Sequence, residues 1–153
     1  MIMGTPVRKD IVSNIGSVLA TITTDNGYKT TVVTVEAVGK TWADVGSGAK
    51  PWIGYAPVRE SFEYFPGSQI RVVLNVTIIA HISGTTQADR ATKLNDLLDD
   101  IIAALNLDTT RGGKAIATTI TTVETDEGSP DANGFGSMVL TVDVPYIRTL
   151  SAS

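Results

Sequence analysis

Two segments of the chain contain residues whose types could bind a ligand or an ion. The first, Gly46-Ser47-Gly48-Ala49-Lys50, superficially resembles a phosphate-binding loop. That motif needs Ser or Thr directly after its lysine and a helix beyond it, whereas Pro51 and Trp52 follow here. We therefore interpret this segment as a flexible connection between two strands.

The second segment, Glu124–Gly136, is rich in the oxygen ligands that hard cations prefer. Its acidic and amide side chains are Glu124, Asp126, Glu127, Asp131 and Asn133. An EF-hand loop would need three alternating ligands before its glycine and a glutamate to close it. Here Gly134 directly follows Asn133, and no closing glutamate is present. The spacing predicts no metal site and favours a loop that meets solvent or a partner.

The rest of the chain has little that could support catalysis. His81 is the only histidine, and a general base there would need an orienting carboxylate and a nucleophile that the sequence does not specify. We expect it to be a surface or interface residue. The chain has no cysteine, which excludes disulfides and thiolate metal sites. We predict no catalytic residue, no metal, no cofactor and no enzyme activity.

A group of aspartates has two possible interpretations. Asp96, Asp99 and Asp100 lie at helical neighbour spacing, and Lys93 can offset only the first of them. One interpretation is a solvated helix face. The other is an acidic patch, with Asp99 and Asp100 at its centre, that receives Arg or Lys from a neighbouring copy.

The composition restricts the class of protein. The chain has 153 residues, enough for one domain, and its net charge is -4 with only 18% charged residues. A mildly acidic protein is a poor candidate for wrapping DNA, which requires a concentrated basic face. No apolar run is long enough to span a membrane, and the first residues lack the features of a signal peptide. We expect a soluble protein, made in the cytoplasm.

A strand that leads into an amphipathic helix, Gln69 to Leu107, organises the predicted fold. Alternate apolar residues of the strand are Ile70, Val72, Leu74, Val76, Ile78, Ala80 and Ile82. Ser83–Thr86 then offers turn and N-cap chemistry. The apolar stripe of the helix consists of Ala91, Leu94, Leu97, Leu98, Ile101, Ile102 and Leu105.

The remaining periodicities complete an α+β domain over residues 1–153. They predict a helix from Pro6 to Ala20 and strands over Lys29–Val38, Trp52–Ala56, Ala115–Val123 and Ser137–Tyr146. The order is α-β-β-β-α-β-β, with a mostly antiparallel sheet of about five strands and both helices on one face. Segments 57–68 and 124–136 are predicted to be extended loops.

Both predicted loops contain residues suited to contacts beyond the subunit. In segment 57–68, Phe62, Tyr64 and Phe65 have no obvious place in one core, and large aromatics often anchor interfaces. Its charged residues Arg59, Glu60 and Glu63 suit a polar rim. In segment 124–136, Asp126 and Glu127 are predicted to meet a basic surface of a neighbouring copy or a docking protein.

Several short stretches, in their order along the chain, resemble the tail-terminator (tail-completion) family of long-tailed bacteriophages. They are Pro51-Trp52-Ile53, Arg71-Val72-Val73-Leu74-Asn75-Val76, Ala91-Thr92-Lys93-Leu94, Asp99-Asp100-Ile101, Ala104-Leu105, Thr125-Asp126-Glu127-Gly128 and Val142-Asp143-Val144-Pro145-Tyr146. The resemblance covers most of the chain. One departure is Pro145, inside a strand where a hydrogen-bonding residue is expected.

The resemblance implies a structural virion protein of the tail or neck. Its copies would form a hexameric ring that terminates the tail tube and provides the tail side of the head–tail junction. The implied partners are other copies, the tail tube protein and a head–tail connector or neck protein. DNA would only pass through the lumen, without sequence-specific binding, and no membrane is involved. Two alternatives remain at this point: another connector or neck ring of the same particle, and a metal-binding or small-ligand module.

Overall fold

A computed structural model describes residues 7–38, 45, 50–126 and 135–149. In chain order the elements are helix α1 (Val7–Leu19), a 3-10 turn (Thr24–Asn26), strands β1 (Thr34–Glu36), β2 (Trp52–Tyr64) and β3 (Gln69–Ser83), helix α2 (Gln87–Asn106), and strands β4 (Thr119–Asp126) and β5 (Phe135–Thr149). The predicted α+β class and the order α-β-β-β-α-β-β are confirmed.

The five strands form one sheet in the order β1-β2-β3-β5-β4. Only β1 runs parallel to its neighbour, so the sheet is mostly antiparallel, as predicted. Strand β3 is central and pairs over its whole length with β5, from Gln69 opposite Thr149 to Ser83 opposite Phe135. Its predicted extent is therefore confirmed within one residue.

The hydrophobic core lies between one face of this sheet and the two helices. The alternate β3 residues Ile70 to Ile82 are buried and belong to the same core cluster as Ile11, Ile15 and Leu19 of α1. Helix α2 begins at its predicted N-cap, where the Thr86 hydroxyl accepts a hydrogen bond from the Asp89 amide. This face of the sheet is called the core face below, and the opposite one the outer face.

The stripe of α2 differs from the prediction at four positions. Leu94, Leu97, Ile101 and Leu105 are buried as expected. Ala91 and Leu98 are only partly buried and Ile102 is 37% exposed, whereas Ala104 is buried. The sequence indicated the correct face of the helix, but the centre of that face lies towards Leu97 and Ala104.

Glycine allows helix α1 to approach strand β2 closely. A Cβ atom on Gly16 would lie 2.2 Å from the hydroxyl oxygen of Tyr55. The Tyr55 ring therefore occupies the space that a side chain at position 16 would need. This contact fixes α1 against the first half of β2.

The prediction of an extended loop over residues 57–68 is wrong. Strand β2 continues through Tyr64, and only a short turn separates it from β3, closed by a hydrogen bond from the Phe65 amide to the Gln69 carbonyl at 3.2 Å. Gly67 takes a φ of 95° in this turn. Residues 58–64 are exposed or half-buried, so they lack the apolar alternation by which a strand is recognised in sequence.

Other strand boundaries also shift. The strand predicted over Lys29–Val38 is limited to Thr34–Glu36, while β5 extends beyond its prediction at both ends. Strand β4 extends through Asp126 and β5 begins at Phe135, so both enter the loop predicted over 124–136. The centre of that loop lies outside the described residues, as do residues 46–49 of the glycine-containing segment.

Pro145 fits into β5 because strand β4 does not extend alongside it. The Pro145 carbonyl accepts a hydrogen bond from the Ile116 amide at 2.8 Å, which shows that the polar groups of this residue point away from β3. Strand β4 begins opposite Asp143, so none of the described strands faces the position where an amide hydrogen is missing.

Candidate assembly surfaces

The far end of the β2–β3 hairpin, residues 59–75, presents aromatic side chains to solvent; we call it the arm. Phe62 is 50% exposed, Tyr64 is 72% exposed and Phe65 is 39% exposed. Phe62 pairs with Val72 and Tyr64 with Ile70, so both lie on the core face of the sheet. The ladder to β3 holds the backbone of these residues, and their rings remain exposed.

A row of polar side chains crosses the outer face at the base of the arm. Arg59 donates a hydrogen bond through Nε to Oδ1 of Asn75 at 3.2 Å. Asn75 in turn donates through Nδ2 to Oδ1 of Asp143. This row connects β2, β3 and β5 at the level where the arm begins. Farther out, Glu63 lies 4.0 Å from Arg71, an exposed pair that contributes little to stability.

Glu60 has partners inside its own copy. Its Oε1 atom lies 2.9 Å from Nε of Arg8 in α1 and 3.4 Å from the Tyr146 hydroxyl, which donates to it. Burial and the nearby charge of Glu60 raise the pKa of the Tyr146 hydroxyl. Glu60 therefore joins helix α1 and strand β5 to the base of the arm, a function that its sequence context did not indicate.

The two helix aspartates lie in different environments. Asp100 is buried and accepts hydrogen bonds from the backbone amides of Lys29 and Thr30, at 3.0 and 2.8 Å. The interpretation that places Asp100 in an exposed patch is therefore wrong. Asp99 is exposed and forms an ion pair with the Lys29 amine at 2.8 Å. The hydrogen bond and charge of Asp99 raise the pKa of Lys29.

The acidic end of β4 lies far from the arm. Asp126 is exposed at the last position of β4, opposite Ser137, which in turn pairs with His81 of β3. Along β3, roughly 37 Å separates the level of His81 from that of Ile70, at about 3.4 Å per residue. Glu127 lies outside the described residues. The sheet thus places the two predicted surfaces at opposite ends of its strands.

His81 is buried, so its interpretation as a surface residue is wrong. Its ring stacks on Trp52 with centroids 5.2 Å apart, and its Nδ1 lies 2.9 Å from the Ser137 hydroxyl. Nearby, the Lys50 amine donates to the Val45 carbonyl at 2.6 Å and lies 3.5 Å from the centre of the Phe135 ring. These contacts hold both His81 and Lys50 within the subunit. Burial lowers the pKa of Lys50.

The described part of the chain contains no group of three or more His, Cys, Asp or Glu side chains arranged to bind a metal ion. None of its helices combines the length and apolar character needed to cross a membrane.

One comparison with known proteins identifies a relationship. A family model described as Bacteriophage Tail Tube Terminator Protein matches residues 3–151, almost the entire chain. No curated protein matches the sequence.

Proposed function

The chain belongs to the bacteriophage tail tube terminator family, and we propose that its copies form a hexameric ring that ends the tail tube. Membership makes it a structural protein of the phage tail. In the proposed assembly, one side of the ring meets the tail tube protein and the other meets a head–tail connector or neck protein. DNA passes through the lumen without sequence-specific binding.

The observation that carries this proposal is the exposure of three aromatic rings on one short arm. Large exposed apolar patches on soluble proteins commonly mark sites of association. Rigid aromatic side chains can anchor such an interface because their burial stabilises it while few rotamers are lost. We infer that Phe62, Tyr64 and Phe65 become covered when the subunit assembles.

The charged residues support contacts at both ends of the sheet. Arg59 and Glu63 flank the exposed rings of the arm, as polar rim residues flank an interface core. Asp126 and Glu127 would meet a basic surface, and the exposed Asp99 could contribute to the rim. Asp100 and Glu60 are excluded from this proposal because their side chains are only slightly exposed and are bound within their own copy.

Complementation of a particle that lacks this protein tests the proposal. Phe62→Ala and Phe65→Ala should impair ring formation or tail completion, scored by tail length and head joining, without changing the fold. Leu107→Ala is the matched control because Leu107 is 80% exposed but lies outside the arm. Normal tails from both arm variants would show that the aromatic rings of the arm do not contribute to assembly.

Mass measurement of the ring tests its stoichiometry. We expect six copies with closed symmetry, either alone or on a tail tube. A single copy inside an otherwise complete particle would contradict the ring. Asp126→Lys combined with Glu127→Lys should weaken docking, and more salt should reduce the difference from the unchanged protein because exposed charges are screened.

A further inference from the structure

The arm has no described strand on the side of β2 that faces away from β3. Strand β1 pairs only with Trp52–Gly54, so pairing on this side stops before the arm begins. Pro57 and the bulge at Val58 interrupt the backbone there, and both features disfavour the addition of another strand. Contacts of the arm with another molecule therefore depend on its side chains, above all on Phe62 and Tyr64.

The opposite side of the sheet leaves a gap at the level of the arm. Strand β4 begins opposite Asp143, and beyond that residue no described strand pairs with this side of β5. The Ile116 amide donates to the Pro145 carbonyl at 2.8 Å, so Ile116 lies beside this part of β5. Pairing through β3 puts Val144–Arg148 level with Glu60–Tyr64. We call Ile116 and this end of β5 the recess.

Two exposed side chains of the recess suit the rings of the arm. Ile116 is 51% exposed, which is unusual for a large apolar residue unless a partner covers it. Arg148 is exposed and forms no ion pair with any described residue. An aliphatic side chain offers an aromatic ring apolar contact area, and a guanidinium group is attracted to the face of the ring. The recess thus presents one apolar and one cationic partner for aromatic side chains.

The rings and their suggested partners follow the same rows of the sheet. Two neighbouring rows cross β2, β3 and β5: Tyr64, Ile70 and Arg148 in one, and Phe62, Val72 and Tyr146 in the next. Both rows lie on the core face, because residues paired across neighbouring strands share a face. Ile116 lies beside the second row through its hydrogen bond to Pro145. Arm and recess therefore agree in level along the strands.

We propose that the arm of one copy packs into the recess of the next, with Tyr64 against Arg148 and Phe62 against Ile116. This inference depends on the proposed ring. A rotation about an axis near the strand direction keeps every row at its height, so a row of one copy continues into the same row of the next. Each copy then uses its arm once and its recess once, and such head-to-tail contacts close into a ring.

A single copy does not form these contacts by itself. Strand β3 lies between Tyr64 and Arg148, so their backbones are two strand spacings apart, or about 10 Å. These two described residues make no cation–ring contact within the subunit. The same strand separates Phe62 from the side of β5 on which Ile116 lies. A second copy is therefore the partner that brings each ring to its complement.

Cross-linking tests this contact, and the chain is suited to it because it contains no cysteine. Ser61 and Ile147 are exposed on the outer face, beside the proposed contact but not part of it. Rings carrying Ser61→Cys with Ile147→Cys, treated with a short bismaleimide, should give a ladder of covalent oligomers up to the ring size. Each single variant should remain a monomer on a denaturing gel. The control is Ser61→Cys with Thr92→Cys, at the exposed start of α2 and far from the arm, which should give no ladder.

The outcomes separate this inference from the proposed function. Intact rings that give no ladder with Ser61→Cys and Ile147→Cys would overturn the arm contact and leave the ring in place. Dimers from a single-cysteine variant would also overturn it, because they require one surface to meet its own equivalent. Absence of rings, both alone and on a tail tube, would overturn both proposals.

A double-variant cycle provides a second test that does not depend on cross-linking geometry. Arg148→Ala should raise the protein concentration for half-assembly by about two- to fivefold, as expected for one exposed cation–π contact. Arg148→Lys should raise it less, because the cation is kept. In a Tyr64→Ala background, Arg148→Ala should have little further effect, because the contact is already absent. An equal increase with and without the Tyr64 ring would contradict a contact between these residues.

Discussion

The two halves of strand β2 have the same neighbour and opposite environments. From Trp52 to Gly54 the strand is buried, and Tyr55 packs against Gly16 of helix α1. From Val58 to Tyr64 it is exposed apart from Glu60, although its pairing to β3 continues with one bulge. In the first half, side chains stabilise the fold. In the second, the backbone ladder maintains the strand, and the side chains are available for contacts with other molecules.

The largest expected effect belongs to the helix-covered region. Leu97→Ala should lower the free energy of unfolding by about 2–5 kcal/mol, because Leu97 is fully buried and its removal leaves a cavity. Thermal or urea unfolding measures this loss. Leu98→Ala is the control, since Leu98 is only partly buried and should lose less. Equal losses would show that the core face of α2 is placed incorrectly.

A smaller effect is expected from the buried carboxylate of Asp100. Asp100→Ala removes the acceptor for the Lys29 and Thr30 amides and should lower the free energy of unfolding by about 1–3 kcal/mol. Asp99→Ala should cost at most about 1 kcal/mol because its ion pair is exposed. Urea unfolding of both variants tests the difference. A larger loss of unfolding free energy in Asp99→Ala than in Asp100→Ala would contradict this prediction.

The arm variants should change stability least among the apolar substitutions. Phe62→Ala should shift the free energy of unfolding by no more than about 0.5 kcal/mol, as expected for a surface position. Calorimetry of the unassembled subunit measures this shift. A loss similar to that of Leu97→Ala would show that the arm belongs to the core, and the contrast between the two halves of β2 would then be wrong.

The smallest effect concerns pH at the base of the arm. The pKa of the Tyr146 hydroxyl is raised in the folded protein, so the unfolded state loses the hydroxyl proton at a lower pH than the folded state does. The contribution of this protonated hydroxyl to folding stability is fully present below the ordinary tyrosine pKa of about 10. It is lost as the pH rises from there through the pKa of Tyr146 in the folded protein. Tyr146→Phe should therefore show a weaker decline in stability above about pH 10. An identical decline in both proteins would contradict the role assigned to Tyr146.

The sequence predicted the parts of the fold in which one side of an element is buried. The alternation from Ile70 to Ile82 identified β3, and the spacing of Leu94, Leu97 and Ile101 identified α2. Residues 58–64 were not predicted to form a strand because neither face of β2 is consistently buried there. The exposure of Phe62 and Phe65 was anticipated, and their role in assembly remains a prediction.

The pairing of charged residues required three-dimensional information. The spacing of Asp99 and Asp100 correctly placed them on a helix, but the partners of Asp100 are the backbone amides of Lys29 and Thr30, distant in sequence. Similarly, Glu60 belongs to a charged segment, and nothing near it indicated Arg8 or Tyr146 as partners. The order of the described strands in the sheet also required the structure, because periodicity does not determine it.

The central pairing of β3 with β5 has a consequence for folding kinetics. These strands are separated in sequence by the whole of α2 and β4, so their contact is non-local and slow to form. Until β5 arrives, the β2–β3 hairpin exposes the second edge of β3, which another chain could occupy. We therefore expect refolding at high protein concentration to lose material to aggregation.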